Sequence, residues 1–411
     1  MDEIVEVYKN QADNTGLPVF TNEEWELFKN KYDKDTAKKA LAKYIIDYNV
    51  QFPFRPISYD RVKDRFNKLL NKNLYEFVEF NLQEYDIEEK WDDYKYPFSK
   101  YGIALIDASP YYNDISDYYQ QKNRLSCGAY SHLSPMDYWR NKEKLEKLNW
   151  TFWRKGITEG NDINNAEYRK TFRLGTYTAT QFKPPVAKAV YSITMAKKII
   201  DMSCGWGDRL AGFYTTPHTE EYFGCDPNID TYHKYKEQCI AYETILGNKC
   251  ISSGNDEHFD VKGGKFVRIF RKPAEEMNWG YKQFDCAFTS PPYYATELYN
   301  KGGDNEDEQS WHRYPKYEDW RDKFLFRMLD RAWFAIKDDG YLALNIMDPK
   351  VKSKRYHTCD ELVDHMTYKS DCNFVGQIGM RIMRRPKKMD GLQEMMKKIY
   401  IENIWLFKKV C

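Results

Sequence analysis

The sequence predicts an α/β fold preceded by a mainly helical domain, in a chain of 411 residues. From residue 166 onward, short apolar runs alternate with helical stretches, which is typical of a parallel sheet covered by helices. Residues 1–165 show helical periods and aromatic loops but lack that alternation. A chain of this length also favours two domains over one. We therefore predict an accessory domain over residues 1–165 and the α/β domain over residues 166–411.

Seven apolar segments of the second domain are predicted to be strands. They are residues 197–201, 221–226, 266–271, 284–290, 341–346, 374–382 and 403–409. Helices are predicted at VAKAVYSITM, DRLAGFYT, TYHKYKEQCIAYETIL and YEDWRDKFLFRMLDRAWFAI. No convincing helical segment separates the last two strands, so these two are predicted to form an antiparallel pair at an edge of the sheet.

The composition narrows the function classes. The formal net charge is +1, so any surface that binds nucleic acid must be local. The nine cysteines form no Cys-x-x-Cys pair and no zinc-type spacing with histidine, so we expect no metal site. The acidic, polar start resembles no signal peptide, and no apolar run approaches membrane-spanning length. These features favour a reduced, cytoplasmic protein that does not enter a membrane.

A glycine-containing turn follows the first predicted strand, in IIDMSCGWGDRLAGF. The strand ends in Asp201, Gly205 and Gly207 follow, and a helix opens near Asp208. Glycines at such a turn let the backbone approach a ligand where a side chain would clash. The third position of a dinucleotide fingerprint is Leu210, and no P-loop pattern occurs, so neither of those nucleotide sites is indicated.

Acidic residues follow the next two predicted strands. Asp226 lies at the carboxyl end of the second strand, where a carboxylate can accept both hydroxyls of a ribose. The alternative is that Asp226 caps the following helix. After the third strand, Ala274, Glu275 and Glu276 lie near the expected position of an adenine amino group, although Glu in a first turn also suits the helix dipole. Together with the glycine turn, these residues predict a site for a nucleoside-containing cofactor.

The tetrapeptide Ser290-Pro291-Pro292-Tyr293 directly follows the fourth strand and is the most specific motif in the chain. Its prolines make the turn stiff, so its carbonyls point in fixed directions. An aromatic amine is a poor nucleophile, because its lone pair is delocalised into the ring. The Ser290 hydroxyl and the Pro291 carbonyl could each accept a hydrogen bond from one of the two N–H groups of the amine. The nitrogen could then become pyramidal and direct its lone pair away from the ring, while Tyr293 stacks on the ring. The alternative is a structural Pro-Pro turn with a packed tyrosine.

These motifs resemble the amino-methyltransferase family that makes N6-methyladenine and N4-methylcytosine in DNA. That family carries a D/N/S-P-P-Y/F/W tetrapeptide, and the TSPPY version found here resembles its cytosine-N4 members. CGWGDRLAGF in a tyrosine-rich chain is similar to phage-encoded members. The resemblance covers roughly residues 170–410. It implies a Rossmann-like, seven-stranded methyltransferase sheet, S-adenosylmethionine as cofactor, and base flipping in DNA, as in restriction-modification enzymes.

The resemblance also extends the cofactor site. Phe182, Lys183 and Pro184 are similar to the family's motif near the methionine end of the cofactor. The full predicted set of cofactor-binding residues is Phe182, Lys183, Pro184, Asp201, Ser203, Gly205, Gly207, Asp226, Ala274 and Glu275. Two features depart from the family pattern. Ser203 replaces the more usual Gly or Phe, and no long insertion separates the glycine turn from the tetrapeptide. A target-recognition region must then lie in residues 1–165, lie after the tetrapeptide, or be absent.

Two charged segments follow the tetrapeptide. Ten Lys/Arg stand against four Asp/Glu across residues 349–388, and the basic run RIMRRPKK is either a loop that grips phosphates or a solvated face. The predicted nucleic-acid contacts are Arg381, Arg384, Arg385, Lys387 and Lys388. The acidic segment GDNEDEQSW (303–311) is predicted to be a solvated loop, with a mobile lid as the alternative.

The leading hypothesis is therefore methylation of cytosine N4 in DNA. Adenine N6 in DNA or RNA is the main alternative, because the tetrapeptide serves both bases. Two further hypotheses are a non-catalytic nucleic-acid-binding protein and a protein glutamine methyltransferase. Cytosine C5 methylation is disfavoured, because it needs a reactive thiol that usually follows proline, and no Pro-Cys pair occurs.

Overall fold

The computed structural model describes residues 1–130, 132–154, 160–382 and 398–411, which fall into two compact units. The first unit combines residues 1–57 with residues 121–180, and the second combines residues 58–120 with residues 181–411. This division differs from the predicted boundary at residue 165, because residues 58–120 fold with the α/β region. Phe66, Leu69 and Ile106 from this segment join the same apolar cluster as the sheet.

Helices dominate the described chain up to residue 193, and strands become frequent from residue 198 onward. The helices are α1 (Asp2–Asn10), α2 (Asn22–Lys31), α3 (Lys34–Asp47), α4 (Tyr59–Asn71), α5 (Phe98–Tyr101), α6 (Asp114–Leu125), α7 (Pro135–Trp139), α8 (Lys142–Lys147), α9 (Asn165–Gly175), α10 (Pro184–Ile193), α11 (Asp208–Tyr214), α12 (Ile229–Ile245), α13 (Ser310–Arg313), α14 (Tyr317–Asp319), α15 (Arg327–Ala335) and α16 (Thr358–Thr367). The strands are β1 (Val78–Glu79), β2 (Asp86–Glu88), β3 (Gly102–Ile106), β4 (Gly128–Ala129), β5 (Lys198–Asp201), β6 (Glu221–Cys225), β7 (Ile251–Gly254), β8 (His258–Lys262), β9 (Phe266–Phe270), β10 (Phe284–Thr289), β11 (Glu297–Leu298), β12 (Ile336–Asn345), β13 (Lys350–Val351), β14 (Lys354–Arg355), β15 (Cys372–Ile382) and β16 (Lys398–Lys409). A π-helical segment, Trp320–Phe326, joins α14 to α15.

The first unit is mainly helical and has an aromatic core. Helix α2 starts at a capping box in which the side chains of Thr21 and Glu24 bond each other's backbone N–H groups. Trp25 of this helix is buried, and its indole N–H donates to the carbonyl of Phe152 at 3.2 Å. A buried Trp normally finds such a partner, so this contact fixes the helix within the unit.

The second unit is built on a mixed sheet whose central order is β15-β16-β12-β10-β5-β6-β9. All seven predicted strands occur, and the α/β fold class is confirmed. Strands β12, β10, β5, β6 and β9 pair in parallel, whereas β16 is antiparallel to both of its neighbours in this order. Both faces are covered: adjacent Ile199 and Ile200 enter two different apolar clusters, one on each side of β5.

The last two strands are antiparallel, but they do not form the edge of the sheet. Strand β3 pairs in parallel with β15, β1 pairs with β3, and β2 pairs with β16. At the other side, the hairpin β7–β8 continues the sheet beyond β9. The edge prediction was wrong because these short added strands carry little periodic signal. Strand β1, for example, has only two residues.

None of the described helices has the length and apolar character that crossing a membrane would require.

Candidate active site

The predicted site segments meet at one edge of the sheet, where the parallel strands β5, β6, β9 and β10 end. A cavity that opens to solvent lies there. The predicted residues that line it are Ser203, Gly205, Asp226, Ala274, Glu275, Ser290 and Pro292. Residues from both predicted motifs therefore border the same cavity.

The glycine turn between β5 and α11 has the backbone that its sequence predicts. Gly205 and Gly207 have φ angles of +58° and +75°, a region that other residues rarely adopt. A β-carbon at Gly207 would also lie 2.4 Å from the side-chain oxygen of buried Gln238. The backbone N–H of Gly205 donates to Asp226 Oδ2 at 2.9 Å, which joins the turn to the end of β6.

Asp201 ends β5 but is not among the residues that line the cavity. It is fully buried, and its carboxylate accepts hydrogen bonds from Arg209 Nε at 2.8 Å and from the Tyr222 hydroxyl at 2.6 Å. The Thr289 hydroxyl donates to it as well, at 3.1 Å. Asp201 thus ties together β5, β6, β10 and α11 beneath the site.

Asp226 lines the cavity and is held in a fixed orientation. Its carboxylate accepts from the N–H groups of Gly205 and Asn228 at 2.9 and 3.0 Å, and from the Tyr235 hydroxyl at 3.0 Å. Burial raises the pKa of Asp226 to about 6, against the effect of these donors. The carboxylate is therefore rigidly placed at the wall of the cavity.

Glu275 lines the cavity beside Ala274 and is buried. Its Oε1 accepts hydrogen bonds from Arg313 at 2.7 Å and from the Tyr314 hydroxyl at 2.9 Å. Its Oε2 is buried and has no hydrogen-bond partner among the residues that the structure describes. Burial raises the pKa of this carboxyl group. Buried acceptors normally have a hydrogen-bond donor, and a bound ligand could supply the donor here.

The hydroxyl of Ser290 is oriented by Asn345 at the end of β12. Asn345 Nδ2 donates to the carbonyl of Asn403 at 3.1 Å, so its Oδ1 faces Ser290. The Ser290 hydroxyl donates to this Oδ1 at 3.1 Å. Because its hydrogen is used in this way, its lone pairs remain to accept hydrogen bonds from another group. The carbonyl of Ser290 accepts from the Ser203 hydroxyl at 3.0 Å, which joins the tetrapeptide to the glycine turn.

Tyr293 is half-buried, and its hydroxyl donates to Glu402 Oε1 of β16 at 2.6 Å. Burial raises the pKa of Glu402, and the hydrogen bond from Tyr293 acts against that effect. Neither Asn345 nor Glu402 is among the residues predicted from the sequence. A detectable signal was available for Glu402, because Glu402 and Asn403 interrupt the apolar run over residues 399–407.

Several predicted residues lie outside the cavity lining. Phe182, Lys183 and Pro184 are at the start of α10, where the Phe182 ring packs against Phe288 with 5.7 Å between centroids. Arg381 is near the end of β15, with its guanidinium 5.0 Å from the Tyr85 ring. The other predicted phosphate contacts, Arg384, Arg385, Lys387 and Lys388, lie outside the described residues.

The acidic segment 303–311 contributes to the cavity. Glu308, Gln309 and Ser310 line it, and the Asn305 side chain donates to the carbonyl of Pro227. Just before this segment, the carbonyl of Tyr299 accepts a hydrogen bond from the Trp311 indole at 2.8 Å. The remaining lining residues that the sequence analysis missed are Met202, Trp206, Pro227, Asn228, Thr231, Pro273, Tyr299 and Phe324.

Comparison with known proteins finds similarity at the level of structure. No family model matches the sequence, and no curated protein matches it. Among solved structures, TrmN from Thermus thermophilus is 10% identical, with 56% of this chain and 49% of that chain covered and a TM-score of 0.33. Trm1 from Pyrococcus horikoshii, in complex with S-adenosyl-L-methionine, is 16% identical, with 56% of each chain covered and a TM-score of 0.32. An S-adenosylmethionine-dependent O-methyltransferase from Thermotoga maritima is 12% identical, with 62% and 76% covered and a TM-score of 0.31. This chain thus spans about half the length of the first two.

Proposed function

We propose that the protein transfers a methyl group from S-adenosylmethionine to the exocyclic amino group of a nucleic-acid base, with cytosine N4 in DNA as the favoured target. One observation carries the proposal: Ser290 and Pro292 border the same cavity as Asp226 and Glu275. A cofactor held by the two carboxylates would therefore lie beside the hydroxyl that is expected to receive the amine.

The cavity residues fit this cofactor. Asp226 offers a fixed carboxylate to the ribose hydroxyls, and the buried Oε2 of Glu275 offers an acceptor to an amino group. Gly205 has no side chain at the wall, so the backbone can approach the ligand closely. When bound, S-adenosylmethionine would supply an electrophilic methyl group on a positively charged sulfur, which leaves as a neutral thioether when the amine takes the methyl group.

Ser290 and Pro291 would prepare the amine for attack. The Ser290 hydroxyl donates its hydrogen to Asn345, so its lone pairs can accept a hydrogen bond from one N–H group of the amine. The Pro291 carbonyl would accept a hydrogen bond from the other N–H group. With both N–H bonds held, the nitrogen lone pair leaves conjugation with the ring. The preorganised acceptors then stabilise the positive charge that develops on nitrogen, which afterwards loses a proton to water.

Tyr293 would hold the plane of the base. Its hydroxyl is anchored to Glu402, so the ring has little freedom to rotate away from a stacked base. In this arrangement Glu402 acts through Tyr293, as a positioning residue. The choice of cytosine over adenine rests on the TSPPY sequence, which resembles that of cytosine-N4 enzymes.

A methyl-transfer assay tests the proposal. The protein is incubated with labelled S-adenosylmethionine and unmodified DNA or RNA, and the digested nucleosides are identified by mass spectrometry. We expect N4-methylcytosine in DNA, with kcat lowered about 10²–10³-fold in Ser290→Ala because a preorganised acceptor is lost. Ser252→Ala, on the exposed strand β7, is the matched control and should retain full activity.

The products separate the remaining hypotheses. Formation of N6-methyladenine would support the same mechanism but would show that the target base is adenine and not cytosine. If the cofactor binds and no nucleic acid gains a methyl group, the nucleic-acid substrate is wrong. Transfer to protein glutamine would then be the next activity to measure.

A further inference from the structure

A short β-hairpin follows β12 and has an unusual turn. Strands β13 and β14 are antiparallel, and Lys352 and Ser353 form the two-residue connection between them. Their φ angles are +47° and +68°. Two-residue turns with positive φ at both positions strongly favour Asn-Gly, so Lys-Ser is a strained choice. Such departures from local preference occur most often where a side chain has a function.

Three lysines of this hairpin carry charge without acidic partners. Lys350, Lys352 and Lys354 are exposed, and no carboxylate in the described part of the chain lies within ion-pair distance of any of them. We call residues 350–355 the lysine hairpin. Because the whole chain has a net charge of only +1, this hairpin is a local concentration of positive charge.

The base of the lysine hairpin is firmly anchored. Arg355 Nε bonds Asp348 at 2.7 Å, and the same guanidinium pairs with Asp93. It also lies 4.6 Å from the centre of the Trp91 ring. Asp348 in turn accepts from the backbone N–H of Cys359 at 2.8 Å. The one arginine therefore holds the hairpin by ion pairs. Lys350 and Lys354 instead lie over aromatic rings, with Nζ 6.0 Å from the centre of Trp91 and 4.6 Å from the centre of Tyr356. These contacts leave the charge of both lysines without an acidic partner.

The lysine hairpin follows soon after Asn345, the residue that orients Ser290 of the tetrapeptide. Strand β12 ends at Asn345, which orients Ser290, and Lys350 follows five residues later. Five residues extend at most roughly 18 Å. Phosphates on one DNA strand recur about every 3.4 Å along the helix axis, so the hairpin is within about five nucleotides of a base held at Ser290.

We propose that the lysine hairpin binds the phosphate backbone of the nucleic acid beside the target base. Lysines are compact charges that suit phosphates and carry no base preference, so the hairpin contributes affinity and position without sequence recognition. This inference rests on the proposed function, since it identifies where that substrate lies outside the cavity.

Salt-dependent binding tests the inference. Fluorescence anisotropy of a labelled 20-mer is measured over a range of salt concentrations for the protein and for the variant with Lys350→Gln, Lys352→Gln and Lys354→Gln. Losing three phosphate contacts should reduce the slope of log K against log[salt] by about 2.7 for duplex DNA and about 2.1 for single strands. Lys249→Gln with Lys262→Gln is the control, because both lysines are exposed near the opposite edge of the sheet and should leave the slope unchanged.

A second variant separates DNA binding from folding. Lys352→Asn with Ser353→Gly gives the turn its preferred residues, so we expect a higher Tm together with a slope reduced by about 0.9 on duplex DNA. A higher Tm with an unchanged slope would mean that Lys352 does not contact phosphate and would overturn its part in the proposal.

Methyl transfer distinguishes failure of this inference from failure of the proposed function. The triple Gln variant should show a raised KM for the 20-mer and an unchanged kcat, and should methylate a dinucleotide as well as the unmodified protein does. If the unmodified protein methylates DNA and the triple variant shows the same slope of log K against log[salt] as the unmodified protein, the hairpin proposal is wrong and the proposed function stands. If the unmodified protein binds cofactor but no nucleic acid at low salt, both proposals fall.

Discussion

The two sides of the candidate active site are built differently. On the cofactor side, at the ends of β5 and β6, the site consists of left-handed glycines and a buried carboxylate, Asp226, whose partners are backbone N–H groups and a tyrosine. On the acceptor side, at the ends of β10, β12 and β16, it consists of side chains such as Ser290 and Tyr293, oriented by other side chains. Changes on the cofactor side should therefore cost stability and cofactor affinity together, whereas changes on the acceptor side should affect turnover alone.

The largest effect is expected at Gly207. In Gly207→Ala the new methyl group would meet Gln238, which is fully buried and donates to the Tyr242 hydroxyl at 3.3 Å. We expect the free energy of unfolding to fall by roughly 3 kcal/mol, from backbone strain plus the displaced side chain.

Gly247→Ala is the matched control for that experiment. Gly247 has a φ angle of +79°, and none of the residues that the structure describes has an atom within 4 Å of the position of a β-carbon there, so only the backbone strain of roughly 1 kcal/mol is expected. Urea denaturation measures both variants. Equal losses would show that the close approach to Gln238 adds nothing.

An intermediate effect is expected at Asp226. In Asp226→Asn the carboxylate is lost, so affinity for S-adenosylmethionine should fall about 10–100-fold, the equivalent of a hydrogen bond to a charged group. Since the pKa of Asp226 is about 6, the affinity of the unmodified protein should fall by up to about tenfold for each pH unit below 6. Isothermal titration calorimetry between pH 5 and 8 tests both statements, and the Asn variant should give a flat profile.

The same raised pKa has a stability consequence of known sign. Between pH 4 and pH 6 the native protein binds this proton more tightly than the unfolded chain does, so the Asp226 contribution to the free energy of unfolding decreases as pH rises across that window. Asp226→Asn should remove this part of the pH dependence. If the free energy of unfolding of the variant depends on pH as it does in the unmodified protein, the pH dependence belongs to another carboxyl group.

The smallest effect is expected at the Tyr293–Glu402 pair. Tyr293→Phe and Glu402→Gln should each lower kcat about 3–10-fold, since each weakens one hydrogen bond worth about 1 kcal/mol, while cofactor affinity remains unchanged. Because the two side chains act through the same contact, the double variant should lose little more than either single variant. Strictly additive losses would contradict the positioning role of Glu402.

The difference between the two sides also explains what the sequence could predict. The seven central strands and the glycine turn are signalled locally, by apolar runs and by glycines at a strand end, and the structure contains all of them. The roles of Asn345 and Glu402 depend on contacts with residues far apart in sequence. The polar pair Glu402-Asn403 is visible in the sequence, but its partner Tyr293 is not. Asp201 was expected at the cofactor, yet its carboxylate lies beneath the site and accepts four hydrogen bonds, from Arg209, Tyr222, Thr289 and the backbone N–H of Ser203.

The domain boundary illustrates the same limit. Helix α4 has an apolar face, and β3 is short, so both are compatible with a separate helical domain when considered locally. Long-range contacts assign this segment to the second unit: β3 pairs with β15, β2 pairs with β16, and Phe66 and Leu69 join the apolar cluster of the sheet. The acidic segment 303–311 is a related case, because charge alone predicts solvation, whereas Gln309 is buried at the cavity wall.

The place of β3 in the sheet has a practical consequence for anyone expressing part of this protein. A fragment that starts at residue 166 would lack β3 and would leave the backbone N–H and C=O groups along one side of β15 without their native partners. Exposed edges of this kind pair with other chains, so such a fragment should aggregate or dimerise through β15. A useful truncation must keep residues 58–120 together with residues 181–411, so a simple cut at residue 166 does not isolate the second unit.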